Sequence, residues 1–170
     1  IDNSSVENAA TEASNVGVDV TKEAAKDYGT DTTTDELNDT KSEIANDQEK
    51  QVETLEQATA TQIANNTAYA DAQAAIDANN DYVNNAKDTY GSETTVTVEN
   101  DSSTATNGTA SANNDAKTKA EQTLANNKEA VADYVEAKAN YDATVSKAEE
   151  LNAAIEAAAN ELKNKGVTVT

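Results

Sequence analysis

The chain contains no histidine, cysteine, methionine, tryptophan, phenylalanine, proline or arginine in its 170 residues. Each absence excludes something. Without histidine and cysteine there is no imidazole base, thiolate nucleophile or soft metal ligand, and no disulfide. Without proline nothing forces a break in a long helix. Without Phe, Trp and Met, any core rests on Ala, Val, Ile, Leu and a few Tyr, and alanine buries little apolar area. No 18-residue apolar run is present, so no transmembrane helix is expected, and no signal peptide, sorting motif or lipidation box is readable.

What is present is charge and periodicity. Against 32 acidic residues stand 12 basic ones, all lysine, for a formal charge of −20. Such a charge repels nucleic acid and anionic membrane, so neither is expected as a partner of this segment. High charge with few aromatics suits disorder, but windows of about 55 residues rich in good helix formers carry phased apolar residues, which favours helix. Zero cysteines fits a secreted protein of a Gram-positive bacterium. Because the chain opens on Ile1 and closes on the strand-like run Val167-Thr168-Val169-Thr170, it reads as excised from something larger.

Residues 4–15 form a short helix candidate with Ser4 or Ser5 as cap and Gly17 as C-terminal stop. The run Val18-Asp19-Val20-Thr21 alternates like a strand, and residues 1–31 read as a short helix plus linker. Thr32, Thr33 and Thr34, followed by Asp35 and Glu36, mark the start of a long helix, residues 32–90. Its seam has two rows at coiled-coil spacing: Gln48, Leu55, Gln62, Tyr69, Ile76, Val83, Tyr90, and Leu37, Ile44, Gln51, Ala58, Asn65, Ala72, Asn79, Ala86. The Gln and Asn on these rows weaken the seam and serve instead to fix register.

Gly91 ends this helix. Residues 91–112 read as a polar tip loop or small hairpin, with Thr95-Val96-Thr97-Val98 a strand candidate and Asn107-Gly108 a turn signal. A second long helix is expected from about Asn113 or Asn114 to Lys165, within residues 113–165. Its rows are Asn127, Tyr134, Tyr141, Ala148, Ile155, Leu162 and Leu124, Val131, Lys138, Val145, Asn152, Ala159. Residues 166–170 start another linker, since Gly166-Val167-Thr168-Val169-Thr170 repeats Gly17-Val18-Asp19-Val20-Thr21 at a spacing of 149, the sign of a tandem unit.

Two helices of matched length bury both seams most simply by folding back on each other. The expected fold is therefore all-α: an elongated antiparallel coiled-coil hairpin with a minor β element at tip or base. Leu37 would face Leu162, Ile44 would face Ile155, Tyr69 would face Tyr134, Ile76 would face Val131, and Val83 would face Leu124. A parallel homodimer is the competing arrangement.

The stretch ASNVGVDVTKEAAKDYGTDTTTDELNDTKSEIANDQEKQVETLEQ resembles the alanine-rich stalk of streptococcal antigen I/II-type surface adhesins and of enterococcal aggregation substances. There too a helix ending in Gly-Val-x-Val leads through a Gly-Thr-containing linker into a long Ala/Gln/Glu/Asn helix. The resemblance is tightest over residues 13–60 and again over 150–170. It implies a rod that carries a ligand-binding head away from the cell wall to which the protein is anchored, at the extracellular surface. The partners it implies are proteins of the host surface or of a neighbouring bacterium.

Other constellations have plainer readings. Asp35/Asp39 and Glu49/Glu53 lie at i, i+4, but general acid–base work needs burial to separate their pKa values, and a solvated face accounts for them. Asp27, Asp31, Asp35 and Asp39 lack the EF-hand pattern, so no metal is expected. The tyrosines Tyr69, Tyr90, Tyr134 and Tyr141 fall on seam rows, and packing explains them better than sugar stacking. The five Asn-x-Ser/Thr matches follow from Asn and Thr abundance.

The sequence thus points to a non-enzymatic spacer of an adhesin, monomeric or weakly dimeric, with no cofactor and no catalytic residue. Its structural seam is Leu37, Ile44, Leu55, Tyr69, Ile76, Val83, Leu124, Val131, Tyr134, Tyr141, Ile155 and Leu162. The alternative is that the hairpin itself binds a host protein or another copy, through the loop 91–112 or the seam.

Overall fold

The computed structural model describes residues 2–21, 26–91 and 108–170. Three helices follow in order: α1 (Ser4–Asn15), α2 (Thr34–Tyr90) and α3 (Ala110–Asn164). α1 spans the residues 4–15 read as a helix from the sequence, and α2 starts at Thr34, two residues inside the expected range 32–90. The third begins earlier than expected because Thr109, and not Asn113 or Asn114, is its cap: the Thr109 hydroxyl accepts from the Ala112 amide at 3.2 Å. At the start of α2, Thr33 and Glu36 form a reciprocal capping box. The Thr33 hydroxyl accepts from the Glu36 amide at 3.3 Å. The Glu36 carboxylate accepts from the amides of Thr33 at 3.1 Å and Thr32 at 3.2 Å, satisfying donors that a helix start leaves open.

No strand occurs among the described residues. Val18–Thr21 and Val167–Thr170 alternate like strands, but nothing described pairs with them, so the β element expected at the base is not formed. The strand candidate at residues 95–98 lies outside the described residues.

The chain divides into two compact units, residues 1–75 with 100–118 and residues 76–99 with 119–170. In the first, α1 lies on α2. Gln48 of α2 reaches the α1 start, donating to the Asn3 side chain at 2.7 Å and to the Asp2 carbonyl at 3.2 Å. Asn66 reaches the α1 end, donating to the Val16 carbonyl at 3.0 Å. Residue numbers rise together along both helices, so they run parallel. Ala9 and Ala13 of α1 are buried, as are Ala68 and Ala72 of α2 and Asn113 and Ala116 of α3. Small side chains let helix backbones approach closely, which is how this alanine-rich sequence makes a dry seam without large residues.

In the second unit the core is Ile76, Asn79, Val83 and Ala86 of α2 with Ala120, Asn127 and Val131 of α3. The pairings fix direction. Asn127 donates to Asn79 at 2.8 Å, the Lys128 ammonium lies 5.9 Å from the Tyr82 ring centroid, and the Tyr134 hydroxyl donates to the Tyr90 carbonyl at 3.3 Å. Numbers again rise together, so α2 and α3 pair in parallel here, and the antiparallel register is corrected. Tyr134 meets Tyr90, not Tyr69, a displacement of about 30 Å along α2 at helical rise. The physical reason is that a heptad stripe carries no arrow: it buries equally well against a partner of either direction. What breaks the tie is polar matching, because a buried amide needs a partner. The parallel register gives Asn79 and Asn127 each other, and residues 91–109 supply far more chain than a hairpin turn between antiparallel helices needs.

Candidate functional site

The polar side chains of the first unit gather into a series of clasps along α2. After α1 ends at Gly17, the chain turns back and its linker is tied to successively earlier turns of α2. Lys26 bridges Glu43 at 2.5 Å and Asp47 at 2.8 Å, on carboxylates four residues apart and hence on one helix face. The Tyr28 hydroxyl donates to the same Asp47 at 3.0 Å, while the Lys26 ammonium lies 5.1 Å from the Tyr28 ring centroid. Further on, the Thr40 hydroxyl donates to Asp31. Asp27 folds the turn by accepting from the Gly29 amide at 2.8 Å, and Gly29 holds a φ of +77° that suits glycine alone.

Electrostatics make this a fixed ion pair and no proton shuttle. Hydrogen bonds from Lys26 and Tyr28 hold the Asp47 carboxyl below the usual range. Those to Asp47 and Glu43 raise the Lys26 ammonium, and the bond to Asp47 raises the Tyr28 phenol. All three shifts move away from neutrality, whereas a general acid or base needs a pKa moved towards it. A cleft lined by Val6, Val18, Tyr28, Asp47 and Leu55 runs between α1, the linker and α2.

The expected seam residues are distributed unevenly. Ile76, Val83 and Val131 are buried. Ile44, Leu55, Tyr69, Leu124 and Tyr134 are half-buried, with Tyr134 edge-on to Tyr90 at 6.1 Å. Leu37, Tyr141, Ile155 and Leu162 are exposed, at 55%, 67%, 56% and 44%; the pairs Leu37–Leu162 and Ile44–Ile155 are therefore not packed. The parallel register explains this, because it uses α3 only to about Tyr134 and leaves residues 135–158 exposed throughout. Asp35, Asp39, Glu49 and Glu53 are exposed. Among the described residues no three acidic groups converge as a metal site would require, and no helix is long and apolar enough to cross a membrane.

Sequence reasoning passed over Lys26, Tyr28, Asp47 and Asn66. The signals were there in outline: a Lys, an aromatic and a Tyr-Gly turn in an otherwise acidic linker, followed by Glu43 and Asp47 at i, i+4. Gln48, Asn65, Asn79 and Asn127 stood on the seam rows as register-setting residues. Asn65 accepts from the Ala110 amide at 2.6 Å and so caps α3.

The family described as the Adhesin P1 N-terminal domain matches residues 1–95. The match covers more than half of the chain, including α1, the clasped linker and all of α2. This chain belongs to that adhesin family. No curated protein and no solved structure matches it.

Proposed function

We propose that this chain is a structural stalk segment of a Gram-positive, cell-wall-anchored adhesin of the antigen I/II or aggregation-substance type. It projects a ligand-binding head from the cell surface and supports adhesion or cell–cell aggregation. The observation that carries the reading is the distribution of the clasps. A helix of 57 residues is secured at Thr40, Glu43, Asp47, Gln48 and Asn66, by clasps spread over residues 40–66. That arrangement suits a part that maintains distance. Membership of an adhesin family supports a cell-surface setting for that role. The partner is then a protein of the host or of a neighbouring bacterium, met through the parent adhesin, with neither nucleic acid nor membrane bound through this segment.

The test replaces residues 34–164, in an adhesin carrying this segment, by an unrelated helical spacer of equal residue count. Adhesion of the displaying cells to host-protein-coated surfaces is expected to persist. Its loss, with surface display unchanged, would sink the spacer reading. A second reading, in which the segment itself binds protein through its helical seam, is favoured by the exposed apolar residues Val135, Tyr141, Val145 and Leu151 of α3. It expects the paired substitution Tyr141→Lys and Leu151→Lys to abolish adhesion, which the spacer reading expects to survive. The loop 91–112, offered as an alternative contact, lies mostly outside the described residues.

A further inference from the structure

Residues 4–21 and 153–170 are two copies of one structural element, and among the described residues only the first is packed on a neighbouring helix. The correspondence runs at a constant spacing of 149: Val6 with Ile155, Ala9 with Ala158, Glu12 with Glu161, Asn15 with Asn164, Gly17 with Gly166, Val18 with Val167. It extends to the backbone. The Val18 amide donates to the Ala13 carbonyl at 3.0 Å and Gly17 to Ser14 at 3.1 Å; the Val167 amide donates to the Leu162 carbonyl at 3.0 Å and Gly166 to Lys163 at 3.0 Å. Both glycines have positive φ, +100° and +85°. These are the paired bonds of one Schellman cap, formed twice.

Burial differs at the inward positions, where Val6 is half-buried and Ala9 and Ala13 are buried while Ile155, Ala158 and Leu162 are exposed. In α1, Ala9 and Ala13 are 5% and 0% exposed. At the equivalent end of α3, Ile155 and Leu162 are 56% and 44% exposed. The groups that pin α1 are nevertheless retained. Gln48 donates to the side chain of Asn3, and its equivalent position holds Asn152. Asn66 donates to the carbonyl of Val16, and every residue at position 165 offers that carbonyl.

We propose that residues 152–165, the end of α3 and its cap, are a docking face for a second copy of this unit joined in tandem, with Thr170 standing where Thr21 stands here. They would lie parallel on residues 48–66 of that copy's α2, gripped by its Gln48 and Asn66. The occupant is a second copy because this chain already shows the same element seated on that segment, with the same cap delivering the chain into the same Gly-Val-x-Val-Thr linker. The claim goes beyond the spacer role, which stands or falls separately: it assigns the joint by which one unit is stiffened onto the next. One difference matters to the fit. Leu162 replaces Ala13, so the receiving groove has to admit a larger side chain.

The experiment compares the full chain with a tandem chain in which Thr170 is followed directly by residues 22–170 of a second copy, using amide hydrogen exchange. In the single chain, residues 153–164 are expected to exchange faster than residues 4–15. In the tandem chain, residues 153–164 of the first copy are expected to slow at least about tenfold, the effect of one or two net hydrogen bonds. The same residues of the second copy remain fast and serve as internal control. Gln48→Ala with Asn66→Ala in the second copy alone should remove the protection. A parallel tandem carries Leu162→Ala in the first copy, which restores the alanine that α1 has and removes any steric block. If the first copy's residues 153–164 exchange as fast as the second copy's in both tandems, the proposal is wrong. Protection that survives the double substitution overturns the docking register.

Discussion

Among the described residues three asparagines occupy fully or nearly fully buried positions, and they are not equivalent. Asn79 and Asn127 hydrogen-bond each other at 2.8 Å, whereas neither side-chain atom of Asn113 has a partner. Removing one member of a buried pair leaves the other uncompensated, while replacing an unsatisfied amide by an apolar group removes a cost. Asn79→Leu is therefore expected to destabilise the chain by about 1–3 kcal/mol, and Asn113→Leu to be neutral or to stabilise by about 1 kcal/mol; urea melts followed by circular dichroism measure both. At Asp47 the relevant variable is pH. Its pKa is lower folded than unfolded, so its contribution is present above the ordinary carboxylate range and disappears as pH falls through the folded value. Lys26 and Tyr28 have raised values, so theirs is present at neutral pH and disappears as pH rises through the folded values. The linker clasp should accordingly hold across a wide neutral window and open at both extremes. Resolved NMR signals of the Tyr28 ring should stay constant between about pH 5 and 9; a Tyr28 shift centred near neutrality would contradict the fixed ion pair.

Helix ends carry the next level of information. Gly17 closes α1 at a φ of +100° with nothing within 4 Å of a would-be Cβ, so an alanine there meets backbone strain and no clash. The left-handed conformation costs a non-glycine residue about 1–2 kcal/mol, and α1 is a helix of 12 residues, too short to persist alone. Gly17→Ala should therefore loosen the α1 end from α2, seen as faster exchange over residues 4–15, with α2 beyond Asn66 unaffected. The limits of α1 and the ends of α2 were largely legible in the sequence because they rest on local chemistry, namely threonine caps, the Asp35–Glu36 pair and glycine stops. The Thr109 cap of α3 was passed over for Asn113 or Asn114. Direction was not legible, because the heptad rows through Ile76 and Val83 fit either orientation and the deciding contacts are single amide pairs such as Asn79–Asn127. The linker clasp was hidden for a related reason: Lys26 finds Glu43 and Asp47 across 17 and 21 residues, a separation with no periodic signature. The structure also reveals a shorter repeat inside the 149-residue one. Both long helices begin behind a Gly-Thr step and a threonine cap, Gly29-Thr30 before Thr33 and Gly108-Thr109 with Thr109 itself the cap, and both end on a positive-φ glycine, Gly91 and Gly166.

At the scale of the whole chain, 32 carboxylates against 12 lysines set self-repulsion against a thin core of alanine, valine and isoleucine. The ion pairs described are exposed or half-exposed, with side chains from 25% to 79% accessible, and pairs of that kind contribute little. If attraction between charges held the fold, salt would weaken it; if net repulsion strains it, salt would relieve that strain. The imbalance decides for repulsion, since the excess of negative charge acts between residues along each helix and between neighbouring helices, while the screening length falls from about 30 Å at 0.01 M salt to about 8 Å at 0.15 M. Thermal unfolding at pH 7 should therefore shift upward as sodium chloride rises from 0.01 to about 0.15 M. Asp47→Asn should leave that upward shift in place while opening the Lys26 clasp. A melting temperature that falls with salt would mean that the few lysine bridges, and not the surplus carboxylates, govern stability.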